Sequence, residues 1–111
     1  MKKKATNAFK DYVIDQLTAL GDVRSRAMFG GFGLYRADVF FGIIANDRLY
    51  LKVDEQNRGD YTRAKMKPFK PFADRPTTMK YYQVPVGVLE SAEDLVAWAR
   101  KSVTAAKRAR S

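Results

Sequence analysis

The chain has 111 residues, of which 46% are hydrophobic and 13% aromatic, and this length allows one domain with a single core. It contains no cysteine and no histidine, which excludes a disulfide framework, a thiolate nucleophile and the most common general base. The net charge is +9, a property shared by many proteins that bind nucleic acid.

The positive charge is concentrated near the two ends of the chain. Six basic residues there are expected to form solvated tails around a folded core of about residues 5–106: Lys2, Lys3, Lys4, Lys107, Arg108 and Arg110. Without them, 15 of the 21 basic residues remain against 12 acidic residues, so the core carries little excess charge. The alternative is that the tails contribute a weak electrostatic attraction to nucleic acid.

The sequence has no segment that is typical of a membrane or secreted protein. No apolar stretch approaches the roughly 18 residues that are needed to cross a bilayer. The three lysines that follow Met1 are not followed by the apolar segment of a signal peptide. We therefore expect a cytoplasmic protein that has no membrane partner.

Residues 6–20 are predicted to form a helix, because apolar side chains recur there at helical spacing. The helix can be capped by Thr6 or Asn7 and ended by Gly21. The stripe expected to face the core consists of Phe9, Tyr12, Val13, Leu17 and Leu20.

Four short strands are predicted at residues 23–29, 32–36, 39–45 and 48–53, where the periodicity changes to two. The Gly-Gly-Phe-Gly run at 30–33 is interpreted as a tight turn rather than a phosphate-binding loop. No Lys-Ser or Lys-Thr pair ends it, and a strand follows it instead of a helix. The four strands therefore form an antiparallel meander.

The third strand is apolar on both predicted faces, with Val39, Phe41 and Ile43 on one side and Phe40, Gly42 and Ile44 on the other. One face of an antiparallel sheet is usually solvated, so the second apolar face predicts either a central position or a contact with another protein. The candidate surface for a homodimer or another partner consists of Phe40, Ile44 and Tyr50.

A short helix over residues 54–65, a loop to residue 78, a strand over 79–84 and a helix starting near Ser91 complete the chain. The predicted order is helix, four-strand meander, helix, strand, helix. This order predicts a single two-layer α+β domain over residues 1–111, with helices packed on an antiparallel sheet.

The residues give no support for catalysis. The acidic clusters at Asp54-Glu55 and at Glu90, Glu93 and Asp94 lie at predicted helix starts, where carboxylates favour the helix dipole. We therefore expect no catalytic residue, no metal site and no cofactor, and predict that the protein is not an enzyme.

The loop before the last strand is the best candidate for nucleic-acid binding. Its basic residues alternate with aromatic residues, and cations can hold phosphates while rings stack on bases. The candidate residues are Lys65, Lys67, Lys70, Arg75 and Lys80. In the alternative interpretation, which we favour, Phe69 and Phe72 fill the core and the lysines are solvated.

Several segments together resemble the TfoX N-terminal domain family. They are RAMFGGFGLY at 26–35, FGII at 41–44, RLYLK at 48–52, YYQVP at 81–85 and LVAWA at 95–99. They occur in order over almost the entire chain. The resemblance implies a fold similar to that of type III secretion chaperones, which are two-layer proteins and often dimeric.

The resemblance also implies a function. The named members of the family are regulators of DNA-transformation competence, which act with the cyclic-AMP receptor protein and carry a second, C-terminal helical domain. This chain ends at Ser111 and is therefore expected to be a stand-alone N-terminal domain. We predict a non-enzymatic regulatory or protein-interaction domain, and the alternative is a weak nucleic-acid-binding module that uses the basic loop and tails.

Overall fold

The computed structural model of the protein describes residues 6–28, 30–69 and 80–110. The elements in these ranges are α1 (Asn7–Gln16), a 3-10 turn (Thr18–Leu20), β1 (Val23–Met28), β2 (Gly31–Arg36), β3 (Val39–Ala45), β4 (Arg48–Lys52), α2 (Arg58–Arg63), β5 (Tyr81–Gln83), α3 (Val86–Leu89) and α4 (Ala92–Arg110). None of these helices is both long enough and apolar enough to cross a membrane.

The strands form one sheet in the order β1-β2-β3-β4-β5, and every neighbouring pair is antiparallel. The predicted α+β class and the order of helices and strands are therefore confirmed. The turns have the predicted chemistry, since Asn46 and Asp47 both adopt positive φ angles between β3 and β4. Strands β1 to β4 form the meander, and β5, which follows α2 in the chain, pairs with β4.

Helices α1 and α4 cover the same face of the sheet, which we call the inner face. Thr6 caps α1 by accepting a hydrogen bond from the Phe9 amide at 3.1 Å, and Ser91 accepts one from the Asp94 amide at 3.2 Å at the start of α4. The core between the helices and the sheet includes Val13, Leu17, Leu34, Phe41, Ile44, Leu49, Leu51, Leu95, Ala99 and Val103.

A bulge in β3 changes which residues face the core. Leu34 pairs with Gly42 whereas Tyr35 pairs with Phe40, so Phe41 is one extra residue on β3. Beyond this point the alternation shifts by one residue. Ile44 is therefore fully buried in the inner core, and the prediction that placed it on the same face as Phe40 is wrong.

Two helices differ from the prediction, one in the exposure of a side chain and one in its first residue. In α1, Tyr12 is 40% exposed rather than buried, and its hydroxyl donates a 3.3 Å hydrogen bond to the Leu89 carbonyl. Helix α2 begins only at Arg58, because Asn57 bonds back to the Asp54 amide at 2.8 Å and to the Lys52 carbonyl at 3.0 Å. This local network holds residues 54–57 in a turn.

The C-terminal basic residues are exposed, but they belong to a regular helix. Helix α4 continues to Arg110, and the guanidinium of Arg108 lies 2.7 Å from the carboxylate of Asp54. The guanidinium of Arg110 lies 3.3 Å from the carboxylate of Asp38. The end of α4 is thereby connected to two loops that are distant in sequence.

Candidate interaction surface

The face of the sheet opposite α1 and α4 is the candidate surface, and we call it the outer face. The strand pairing and the contacts of Phe40 and Met28 around Gly33 place a common set of strand residues on it. These residues are Arg24, Arg26, Met28, Tyr35, Phe40, Ile43, Ala45, Arg48, Tyr50, Lys52 and Tyr81.

Aromatic rings form the middle of the outer face. The ring centroids of Tyr35 and Phe40 are 5.1 Å apart, those of Phe40 and Tyr81 are 5.7 Å apart, and those of Tyr50 and Phe69 are 4.8 Å apart. All three pairs are tilted, as aromatic pairs prefer. The cluster is therefore a second, smaller core on the side of the sheet opposite α1 and α4.

The rings of this cluster differ in exposure. Tyr50 and Tyr81 are 8% and 6% exposed, whereas Tyr35 and Phe40 are half-buried. Burial, and the neighbouring Tyr35, raise the pKa of the Tyr81 hydroxyl to about 12. Among the described rings of the cluster, those of Tyr35, Phe40 and Phe69 are the more accessible to a partner.

The charge of the outer face is entirely basic among its strand residues. None of the five described strands contains Asp or Glu, and four of their five charged residues lie on the outer face: Arg24, Arg26, Arg48 and Lys52. The ammonium group of Lys52 lies 5.2 Å from the centroid of the Tyr81 ring, within the range of a cation–π interaction. The other cation of the strands, Arg36, is turned to the helix side, where it bonds the Leu20 carbonyl at 3.2 Å.

The described acidic residues that form tertiary contacts lie in turns and helices. Asp38, Asp54 and Asp60 pair with basic residues of α4 at its end or middle, and Asp47 accepts a 2.7 Å hydrogen bond from the Thr6 amide. The two layers therefore differ in charge balance: Lys101, Arg108 and Arg110 of α4 have carboxylate partners in other elements. On the outer face, the carboxylate of Asp22 lies 3.5 Å from the Arg24 guanidinium, both groups being well exposed, and Lys52 lies over the Tyr81 ring.

The family comparison agrees with this architecture. Residues 15–106 match the model of the TfoX N-terminal domain, from within α1 to within α4, so that all five strands lie inside the match. The chain belongs to the TfoX N-terminal domain family. This is a family of regulatory-type domains and not a known enzyme family. No curated protein matches the chain.

Most of the segments that resemble the family lie in the strands of the TfoX N-terminal domain. The RAMFGGFGLY segment contains the end of β1 and most of β2, and the FGII segment contains the bulge that shifts the alternation of β3. The glycines allow close packing, because a Cβ at Gly33 would lie 2.9 Å from the Phe40 ring and 3.0 Å from the Met28 methyl group. These segments therefore determine the shape of the outer face.

The predicted nucleic-acid residues of this TfoX N-terminal domain are only partly described. Lys65, Lys67 and Lys80 are exposed, while Lys70 and Arg75 lie outside the described residues. Residues 67–69 run beside β5, because the Phe69 amide donates to the Tyr81 carbonyl at 2.7 Å and the Gln83 amide donates to the Lys67 carbonyl at 3.1 Å. Nucleic-acid binding by these lysines stays a prediction.

The sequence prediction missed several residues of the outer face. Of the three residues proposed for the partner surface, Phe40 and Tyr50 lie there, whereas Ile44 does not. Tyr35, Ile43, Phe69 and Tyr81 were not assigned to the surface. The period-two pattern of β2 contains a signal for Tyr35, but the position of Ile43 depends on the bulge.

A separate cleft of about 570 Å³ opens between the turn at residues 53–58 and β5. Its lining includes Asp54, Arg58, Lys80 and Arg108. Burial alone would raise the pKa of Asp54, but hydrogen bonds from Arg108 and from the Gln56 amide outweigh this effect and lower it. In the TfoX N-terminal domain this carboxylate is therefore an ionised partner of α4.

Two hydroxyl groups are buried between α2 and α4 without well-formed hydrogen bonds among the described residues, those of Tyr61 and Ser102. Burial raises the pKa of Tyr61 far above its ordinary value, although the nearby Ser102 hydroxyl acts in the opposite direction. The ring of Tyr61 packs edge-on against Trp98 at 4.7 Å. This phenol therefore stays neutral and contributes to the packing between α2 and α4.

Proposed function

We propose that this domain is a non-enzymatic, cytoplasmic regulatory module that binds a partner protein with an acidic surface through the outer face. The observation that carries the proposal is the charge of that face, where Arg24, Arg26, Arg48 and Lys52 share the strands with aromatic residues and no described strand contains Asp or Glu. Opposite charge steers association and determines the orientation of a complex.

The residue types of the outer face support binding to a protein. Arginine, tyrosine and phenylalanine are enriched at protein interfaces, where flat rings provide contact area and guanidinium groups provide directed hydrogen bonds. Tyr35 and Phe40 offer such an area, and Arg24 and Arg26 lie on neighbouring strand β1. This combination is typical of an apolar centre with a charged rim.

A nucleic acid is the second candidate partner, because the same cations would also attract phosphates. Binding of single strands depends largely on ring faces that are open for base stacking. Here Tyr50 and Tyr81 are almost completely buried, and the half-buried rings of Tyr35 and Phe40 pack against each other. The low exposure of the rings favours a protein over a stacked single strand.

The predicted homodimer stays a prediction. A contact between two outer faces would place the strand cations of one copy near those of the other, which favours a partner of opposite charge over a second copy. Light scattering of the full chain across a concentration series tests self-association. A clean monomer at high micromolar concentration would exclude the homodimer.

The binding proposal is tested by capture of partners from a nuclease-treated lysate with the full chain. The test variant is R48E/K52E on β4, and the matched control is R58E/R100E, which makes the same change of charge in α2 and α4 of the helix layer. We expect a captured protein that is retained by wild type and by the control but lost with R48E/K52E.

Each other outcome argues against the proposal. If the captured partner disappears on nuclease treatment, the nucleic-acid function is supported instead. If both double variants lose it equally, the attraction depends on net charge and not on the outer face. Circular dichroism of each variant establishes that the loss does not result from unfolding.

A further inference from the structure

The two edges of the sheet differ. Beyond β5, residues 67–69 continue the pairing, and Pro68 forms a bridge to Tyr82 there. At the other edge, β1 is six residues long and contains no proline. Within the described part of the chain, no backbone hydrogen bond reaches the side of β1 that faces away from β2. An edge of this kind is able to accept an additional strand.

The register of β1 and β2 shows which backbone groups of β1 could bond to an added strand. The Ala37 amide donates to the Asp22 carbonyl at 3.1 Å, so Asp22 and Ala37 form a hydrogen-bonded pair that continues the register Val23↔Arg36. Because hydrogen-bonded and non-hydrogen-bonded pairs alternate, the polar backbone groups of Val23, Ser25 and Ala27 point away from β2. They provide three amide donors and three carbonyl acceptors.

The charges on β1 limit what can pair with this edge. Arg24 and Arg26 are exposed on the outer face, and the same alternation places them at the non-hydrogen-bonded positions of an added antiparallel strand. The Arg24 guanidinium lies 3.5 Å from the Asp22 carboxylate, but both side chains are largely exposed, so this pair is weak and leaves further donors of Arg24 available. Opposing side chains come closest at these positions, where opposite charges attract and like charges repel. Carboxylates are therefore the favoured residues opposite both arginines.

A second copy of β1 does not meet this requirement. If two copies of β1 pair by two-fold symmetry in one continuous sheet, outer-face residues lie opposite outer-face residues. Only registers that are centred on a residue, and not between two residues, meet this condition. Registers centred on Ser25 place Arg24 opposite Arg26 of the second copy, and those centred on Arg26 place the two Arg26 residues opposite each other. Both of these longest registers therefore oppose like charges at the closest positions.

We propose that the β1 edge is a docking site for an extended acidic segment of a protein, which adds to the sheet as an antiparallel strand. Its carboxylates alternate with apolar residues, so that two acids lie opposite Arg24 and Arg26, and uncharged residues lie opposite Val23, Ser25 and Ala27. This inference rests on the proposed function in one respect, namely that the partner is a protein. It adds the chemistry of the segment that the partner would contribute.

The test uses the full chain, labelled with nitrogen-15, and a synthetic peptide with the core Val-Glu-Val-Glu-Val between Gly-Ser flanks. At millimolar peptide we expect slower amide hydrogen exchange at Ser25 and Ala27, which gain a partner, and unchanged exchange at Arg24 and Arg26, which already bond β2. The same peptide with lysine in place of glutamate is expected to bind at least about tenfold more weakly.

The R24E/R26E variant provides the reciprocal test. We expect it to lose the glutamate peptide by at least about tenfold and to prefer the lysine peptide. The R58E/R100E variant is expected to behave as wild type. Equal affinity for the two peptides, or no protection of Ser25 and Ala27 in wild type, overturns the proposal even where R24E/R26E does not fold.

An oligothymidylate is included as a competitor. If it binds more tightly than the glutamate peptide, shifts the resonances of Tyr35 and Phe40 and leaves the Ser25 and Ala27 amides unprotected, the edge proposal is wrong. Failure of the edge proposal differs from failure of the proposed function. A partner that is lost with R48E/K52E but does not protect β1 supports the outer face alone, whereas peptide binding at β1 without such a partner supports the edge alone.

Discussion

The two faces of the sheet bury aromatic and aliphatic side chains in different ways. The inner face lies under α1 and α4, and its side chains form one continuous core that includes Val13 of α1 and Val103 of α4. The outer face has a small cluster around Ile43, Tyr50 and Tyr81, to which half-buried rings are attached. The comparison indicates that the inner face stabilises the fold, whereas the outer face combines modest stabilisation with an accessible, basic surface.

The neighbouring residues Phe41 and Phe40 give the largest expected contrast between the faces. Phe41→Ala is expected to cost about 3–5 kcal/mol of unfolding free energy, because it opens a cavity in the inner core. Phe40→Ala is expected to cost about 1–2 kcal/mol, since its ring is only half-buried. Urea unfolding measures both. Equal costs would show that the outer cluster is a full core.

Two glycines of β2 test how adjustable the outer face is. A Cβ at Gly31 would overlap the Ile44 carbonyl oxygen, so Gly31→Ala requires the backbone to move and is expected to cost about 1–3 kcal/mol. At Gly33 the neighbours are the Phe40 ring and the Met28 methyl group, which can rotate away, and the expected cost of Gly33→Ala is below about 1 kcal/mol. The reverse order in thermal or urea unfolding would contradict an adjustable outer face.

The raised pKa of Tyr81 tests whether the outer cluster excludes water. The pKa of the Tyr81 hydroxyl is about 12 in the folded protein, above the ordinary value of 10.0. The contribution of the buried neutral hydroxyl to stability is therefore complete below pH 10 and is lost as the pH rises toward 12. We expect wild type to lose about 1 kcal/mol more than Tyr81→Phe by about pH 11. Urea unfolding at a series of alkaline pH values measures this, and parallel curves would mean that the Tyr81 ring is hydrated.

The smallest effect concerns the ion pair at the rim of the inner layer. Arg108→Ala is expected to cost about 0.5–1 kcal/mol at neutral pH, because the pair with Asp54 is partly solvated. The pKa of Asp54 is lowered in the folded state, so this contribution is present above its ordinary value of 3.8 and is lost as the pH falls through the lowered value.

A matched control separates this charge effect from helix propensity. Arg100→Ala changes another arginine of α4, whose partner is the Ala19 carbonyl at 3.4 Å and does not titrate. Its cost is expected to be independent of pH, whereas the cost of Arg108→Ala disappears in acid. If the cost of Arg108→Ala also persists below the pKa of Asp54, the ion pair makes no net contribution.

Local patterns in the sequence predicted much of the fold. Alternating side chains located the four strands of the meander, and Thr6 and Ser91 marked the starts of α1 and α4, because these signals depend on neighbours within a few residues. The bulge at Phe41 was not predicted, since it arises from the pairing of β3 with β2. Ile44 was consequently placed on the wrong face.

The candidate surface was predicted less completely, because most of it depends on long-range contacts. Phe69 joins the outer cluster only because residues 67–69 pair with β5. The charge of the C-terminal basic residues suggested a solvated tail, but α4 brings Arg108 and Arg110 beside carboxylates 54 and 72 residues away in sequence. No local pattern reports such distances, so net charge alone was a poor guide to the surface.

The Pro68 bridge at the β5 side has a consequence for assembly. A sheet with two open edges can extend in both directions and polymerise into a fibre. In the described part of this chain, a segment with a proline occupies one edge, and arginines on β1 repel further copies at the other. Strand addition would therefore end after a single step, which gives a complex of defined 1:1 stoichiometry instead of a growing aggregate.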